Sequence, residues 1–162
     1  MPFSIQVKGL EELLRQLDKA EGNAEHVAAE ALSEGAGVMA DAVSRAVKSI
    51  ATEPFKYATG GKKRKASPEE KAIIENAKTG VAKFRKNGIS VQTSVGMQNA
   101  GYALLNGKTK PIPLIANSIN SGTSFMQKQP FLRKAFSQNK SKAQSAIENG
   151  IKAHEKELGI EE

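Results

Sequence analysis

The sequence predicts an α+β fold: a small antiparallel sheet packed against a long Ala-rich helix and a C-terminal helix. Three observations carry this. Apolar residues alternate at the start of the chain, an apolar stripe at helical spacing runs from Val27 to Ile50, and Asn87-Gly88 separates two strand-like segments. The sheet is expected to take an N-terminal strand and a hairpin over 81–95, with 101–105 as a candidate further strand.

Phe3, Ile5 and Val7 alternate with Ser4, Gln6 and Lys8, and Gly9 ends the run. Leu10, Leu13, Leu14 and Leu17 then recur at helical spacing until Gly22 and Asn23. The next helix is the clearest element. Val27, Ala28, Ala31, Leu32, Gly35, Val38, Met39, Ala42, Val43, Ala46, Val47 and Ile50 keep one face, with acidic residues early and Arg45 and Lys48 late, as the helix dipole favours. Because that stripe is mostly Ala, Gly and Val, another backbone can approach it closely.

Periodicity stops from Thr52 to Ala66, where Gly60, Gly61 and the run Lys62, Lys63, Arg64, Lys65 read as a basic loop. Ser67, Pro68 and Glu70 then read as N-cap, N1 and N3 of a capping box, opening a short helix to about Lys78 with Gly80 just past its end. Asn87-Gly88 is a two-residue hairpin signal. It sets Lys86 opposite Ile89, Phe84 opposite Val91 and Ala82 opposite Thr93. Residues 106–129 hold Pro111, Pro113 and Gly122 and read as one long loop, which can be deleted over 112–126 without unfolding the chain. Pro130 opens the last helix, whose face takes Phe131, Leu132, Ala135, Phe136, Ala143, Ala146, Ile147, Ile151 and Leu158. Pro130, Phe131 and Leu132 are its expected structural anchors.

The chain has 162 residues, no Cys, no Trp and a net charge of +7. That length fits one domain able to bury about 70% of its unfolded surface. Without cysteine, disulfide scaffolds, zinc ribbons and thiol chemistry are excluded. No secretion signal or membrane-spanning run is read, so a cytoplasmic, soluble product with no membrane partner is expected. Charge is segregated: residues 54–142 carry 17 basic against 3 acidic side chains, whereas 1–53 carry 5 against 9. A basic middle between acidic ends suits a polyanion partner, or a negative face that meets the positive face of another copy.

Little points to catalysis. Gly35-Ala36-Gly37 with Val38-Met39-Ala40 matches a dinucleotide fingerprint by letters, but lies inside a helix rather than after a strand. His26 and His154 are the only histidines, and neither has a partner at metal-ligand spacing. Glu11-Glu12 and Glu69-Glu70 sit in first helical turns, where carboxylates favour the dipole. No catalytic residue, cofactor or metal site is assigned. Two surfaces remain. Lys62, Lys63, Arg64 and Lys65 are candidates for a DNA or polyanion contact. The segment 87–127 holds only Lys108 and Lys110 as charges, and such depletion marks either an interface core or a loop folded over its own core. Its candidate interface residues are Tyr102, Ile112, Leu114, Ile115, Ile119, Phe125 and Met126.

In order and spacing these features resemble the tail-completion, or head-tail joining, proteins of long-tailed, siphovirus-type phages, a family also described as minor capsid or tail components. The resemblance rests on Gly9-Leu10-Glu11-Glu12-Leu13, the Ala-rich helix, Tyr102-Ala103, Gly122-Thr123, and Gln129-Pro130-Phe131-Leu132 followed by Ala135. The family's Thr-Gly corresponds to Thr59-Gly60 or Thr79-Gly80, and the run from Lys110 to Phe125 is similar to a variant in phages of Gram-positive hosts. The resemblance implies a virion structural protein of the neck, without catalysis, that forms a homo-oligomeric ring between head connector and tail tube. Its partners would be the tail terminator, head-completion protein and tail tube, with passive DNA contact, first in the host cytoplasm and then in the virion. The alternative is a nucleic-acid-binding accessory protein that uses Lys62 to Lys65 with Lys83, Arg85 and Lys86.

Overall fold

The computed structural model describes residues 3–4, 24–54, 60–81, 85–87 and 90–155. The predicted helix over 10–19, the N-terminal strand beyond Ser4, and Leu158 lie outside them. The fold is α+β, as expected. Among the described residues the order is β1 (Phe3–Ser4), α1 (Ala24–Lys48), α2 (Pro68–Asn76), β2 (Thr79–Val81), β3 (Arg85–Asn87), β4 (Ser90–Gln92), β5 (Ser94–Met97), β6 (Tyr102–Leu105), β7 (Lys108–Pro111), α3 (Ile112–Ser121) and α4 (Phe131–Glu155). Contacts group the chain into two compact units.

One unit takes 3–4, 24–40, the described part of 81–96, and 139–155. Here α1 packs against α4 through small residues. Ala31 and Leu32 form a buried cluster with Ile147 and Ile151. Gly35 leaves no room for a Cβ, because Ile147 and the Ala143 carbonyl oxygen occupy that space; Gly150 is similarly closed by Ala31 and the Glu34 carboxylate. The close approach expected from the Ala/Gly stripe is realised at Gly35, and of the two dinucleotide-like glycines it is Gly35 that packing accounts for, since a Cβ at Gly37 meets nothing within 4 Å. Strand β1 pairs antiparallel with β5, Phe3 opposite Val95.

In the β3–β4 hairpin the register differs from expectation. Asn87 pairs with Ser90, Lys86 with Val91 and Arg85 with Gln92, so Asn87 belongs to the ladder and not to the turn. The reason is one of parity. A two-residue slip leaves every side chain on its own face, so the apolar alternation fits both registers equally.

The other unit takes 41–80 and 97–138. Its core joins Ala42, Val43, Val47 and Ile50 of α1 and the residues after it to Ile74, Leu105, Ile115, Ala116, Ile119, Met126, Phe131 and Ala135. The capping box forms as predicted: the Glu70 N–H donates to the Ser67 hydroxyl, and the Ser67 N–H to the Glu70 carboxylate. The helix ends earlier than expected, and its left-handed residue is Lys78 at φ 48°, not Gly80.

The candidate strand over 101–105 is β6, and the segment 106–129 read as a long loop instead holds the β6–β7 turn, β7 and α3. Its turn, Asn106-Gly107, has positive φ at both residues (54° and 72°), as a type I′ turn requires. Strand β7 hides in sequence because Lys108-Thr109-Lys110-Pro111 shows no apolar alternation, and Pro113 masks α3 although proline is tolerated in a first helical turn. Since Ile112, Ile115 and Ile119 are buried, residues 112–126 are part of the core, which overturns the expectation that they are dispensable for folding.

Candidate assembly surface

The ends of α3 and α4 are knitted together by side chains that also fix the neighbouring surface. Gln129 uses its amide as a strand would: the Ala51 N–H donates to its Oε1 and its Nε2 donates to the Ala51 carbonyl, each at 2.9 Å. Asn120 Oδ1 accepts from the Leu132 N–H, in the first turn of α4. Gly122 takes φ 76°, with Lys128 against it. Thr123 closes the next turn, its N–H donating to the Met126 carbonyl and its hydroxyl accepting from the Met126 N–H.

The basic segment is laid onto this frame, with Arg64 at its centre. The Arg64 N–H donates to the Phe125 carbonyl and the Gln127 N–H donates to the Arg64 carbonyl, a parallel bridge between Arg64 and Met126. The Arg64 guanidinium reaches Glu70 with two hydrogen bonds of 2.7 Å, and both side chains are nearly closed to solvent, 10% and 5% exposed. Burial alone would push the Glu70 carboxyl up, yet its bonds from Arg64 and the Ser67 N–H hold it below its ordinary range. The Glu70 hydrogen bond raises Arg64 correspondingly.

Arg64 is therefore spent on the fold, which corrects its assignment as a phosphate contact. Lys65 lies 3.5 Å from Glu53 at the surface. Lys62 and Lys63 stand exposed after the Gly60-Gly61 turn, whose residues both have positive φ. Of the cations added in the alternative reading, Lys83 lies outside the described residues, and Arg85 and Lys86 fall in β3.

The candidate interface residues divide. Ile112, Ile115, Ile119 and Met126 are buried, from 9% to 0% exposed, and serve the core. Tyr102, Leu114 and Phe125 are exposed, as is Leu104, which sequence reading missed. On β6 the alternation is clean: Ala103 and Leu105 face inward while Tyr102 and Leu104 face solvent. The expected anchor Phe131 is buried and packs in the core, with Leu132 half-buried against it. Pro130 directly precedes α4.

The two histidines do share a partner. His26 Nε2 lies 3.3 Å and His154 Nε2 2.9 Å from the two carboxylate oxygens of Glu30, a meeting across two helices that linear spacing could not reveal. Among the described residues no group of three or more such side chains is placed to hold a metal ion, and no helix is long and apolar enough to cross a membrane.

Comparisons with protein-family models, with curated proteins and with solved structures find no match to this chain.

Proposed function

We propose that this chain is a structural component of the neck of a long-tailed phage, one that completes the tail for joining to the head through ring assembly and without catalysis. The observation that carries the reading is the exposure of four large apolar side chains, Tyr102, Leu104, Leu114 and Phe125, in one compact unit. Exposed apolar side chains that share one face, as Tyr102 and Leu104 do on β6, mark a surface that meets another macromolecule. The order of motifs along the chain supplies the kind of assembly. In this reading the motif residues Gly122, Thr123, Gln129 and Phe131 act by holding the frame, while the outward residues make the contacts with other subunits or neck proteins.

The test is electron microscopy of lysates from a phage lacking the gene. Full heads beside separate tails of normal length are expected, with virions restored by the wild-type chain but not by a Leu114→Ser, Phe125→Ser variant that keeps its thermal transition. Intact virions in the absence of the gene overturn the reading.

A second reading, contact with DNA or another polyanion, is favoured by one observation: Lys62 and Lys63 project from the surface beyond a glycine turn. It concerns two cations, since Arg64 and Lys65 are engaged with carboxylates.

A further inference from the structure

We propose that the free edge of β6 is a self-association surface, on which a second copy of this chain docks its own β6 antiparallel about a two-fold axis at Ala103. Backbone geometry fixes which groups face outward. The Ile112 N–H donates to the Gly101 carbonyl, so these two residues form a hydrogen-bonded pair. Such pairs alternate along an antiparallel ladder. Ala103/Lys110 and Leu105/Lys108 are therefore hydrogen-bonded pairs as well, and Tyr102/Pro111 and Leu104/Thr109 are not. The backbone groups of the latter four residues point away from the hairpin.

The two edges are not equivalent. On the outer edge of β7 the outward positions are Thr109 and Pro111. Proline has no N–H to give, and the chain turns into α3 at the next residue. On the outer edge of β6 they are Tyr102 and Leu104, each with donor and acceptor intact. No hydrogen bond of the described residues reaches those groups. Both residues are open to water, 74% and 67% exposed. Native proteins blunt an unpaired edge with charge, proline or a bulge; β7 is blunted and β6 is not.

Charge and register select a second copy as the occupant. The chain carries +7, and copies in general repel. Residues 99–107 carry no charge, so two β6 edges meet without like-charge opposition. With Ala103 opposite Ala103, Tyr102 falls opposite the second copy's Leu104, and Leu104 opposite its Tyr102. Both become hydrogen-bonded pairs, and each sets an aromatic ring against an aliphatic side chain on one face, a favourable cross-strand combination. Registers that set Tyr102 on Tyr102, or Leu104 on Leu104, keep only one such pair within the strand. This contact does not depend on the neck reading: it is isologous, whereas a ring closes through heterologous contacts.

Because the chain lacks cysteine, Ala103→Cys provides a single thiol at the axis. Opposed residues of a non-hydrogen-bonded pair have Cα atoms about 4.5 Å apart, within disulfide reach of about 4.4–6.8 Å. Mild oxidation of the full chain is expected to give a covalent dimer much faster than Ser121→Cys, a surface control. In sedimentation, wild-type chain is expected to form a dimer that grows with concentration, and Leu104→Lys to remain monomeric with an unchanged circular dichroism spectrum. Cross-linking no faster than the control, a dimer that survives Leu104→Lys, or a wild-type monomer at every concentration reached overturns the proposal. The sedimentation arm decides alone if Ala103→Cys does not fold.

Discussion

Glu70 accepts hydrogen bonds from three donors at once, two from Arg64 and one from the Ser67 N–H, while only 5% of its side chain meets solvent. Its charge and its capping role can be separated, because glutamine also serves at N3 of a capping box. Glu70→Gln thus keeps the cap and strands the Arg64 cation in a site nearly closed to water. Loss of one partner of a buried pair costs about 3–5 kcal/mol. A denaturant titration at neutral pH checks this, and a loss below about 1 kcal/mol would mean the pair is solvated. The carboxyl is held below its ordinary range in the folded chain, which fixes the sign of the acid dependence. Its contribution is present in full above the unfolded glutamate value of about 4.3 and is lost as pH falls through the lower folded value. The gap between wild type and Glu70→Gln should therefore close on acidification, and a gap that widens would contradict the direction of the shift.

At the scale of elements, two glycines two positions apart in α1 give opposite expectations. A Cβ at Gly37 meets nothing within 4 Å, whereas at Gly35 it would run into Ile147 and lie 3.0 Å from the Ala143 carbonyl oxygen. Glycine inside a helix costs about 0.5–1 kcal/mol against alanine, so Gly37→Ala should stabilise by up to that amount. Overpacking costs about 1–3 kcal/mol and exceeds the helix gain, so Gly35→Ala should destabilise. Thermal melts of the two variants that move in the same direction would contradict the packing of α1 on α4. That packing was legible in sequence because a long helix repeats its signal over many turns. The capping box was legible because its residues sit at fixed offsets. The β6–β7 turn was not, although Asn106-Gly107 has the same chemistry as Asn87-Gly88. A turn signal persuades only when apolar alternation flanks it, and β7 is a strand of lysine, threonine and proline. The buried members of the candidate site were equally hidden, since charge depletion looks alike in a core and at an interface.

For the whole molecule, net charge supplies an assay that separates the two kinds of contact. Salt screens repulsion between chains of charge +7, so pairing through the neutral β6 edge should strengthen as salt rises. Binding to DNA through Lys62 and Lys63 should weaken instead, and Lys62→Ala, Lys63→Ala should flatten the log–log salt slope by roughly 2. An unchanged slope would remove those lysines from any phosphate contact. The Gln129 amide has a consequence of another kind, in the order of folding and in what the chain can absorb over evolution. It joins residues 78 positions apart. The length-dependent part of closing so long a loop is roughly 4 kcal/mol of chain entropy, so the clasp can form only after nearer contacts have shortened the search. The same logarithm makes length cheap once the clasp exists: doubling the intervening chain adds only about 0.6 kcal/mol. Held at its two ends by one side-chain amide, the stretch between Ala51 and Gln129 is free to accept surface insertions that leave the joint intact.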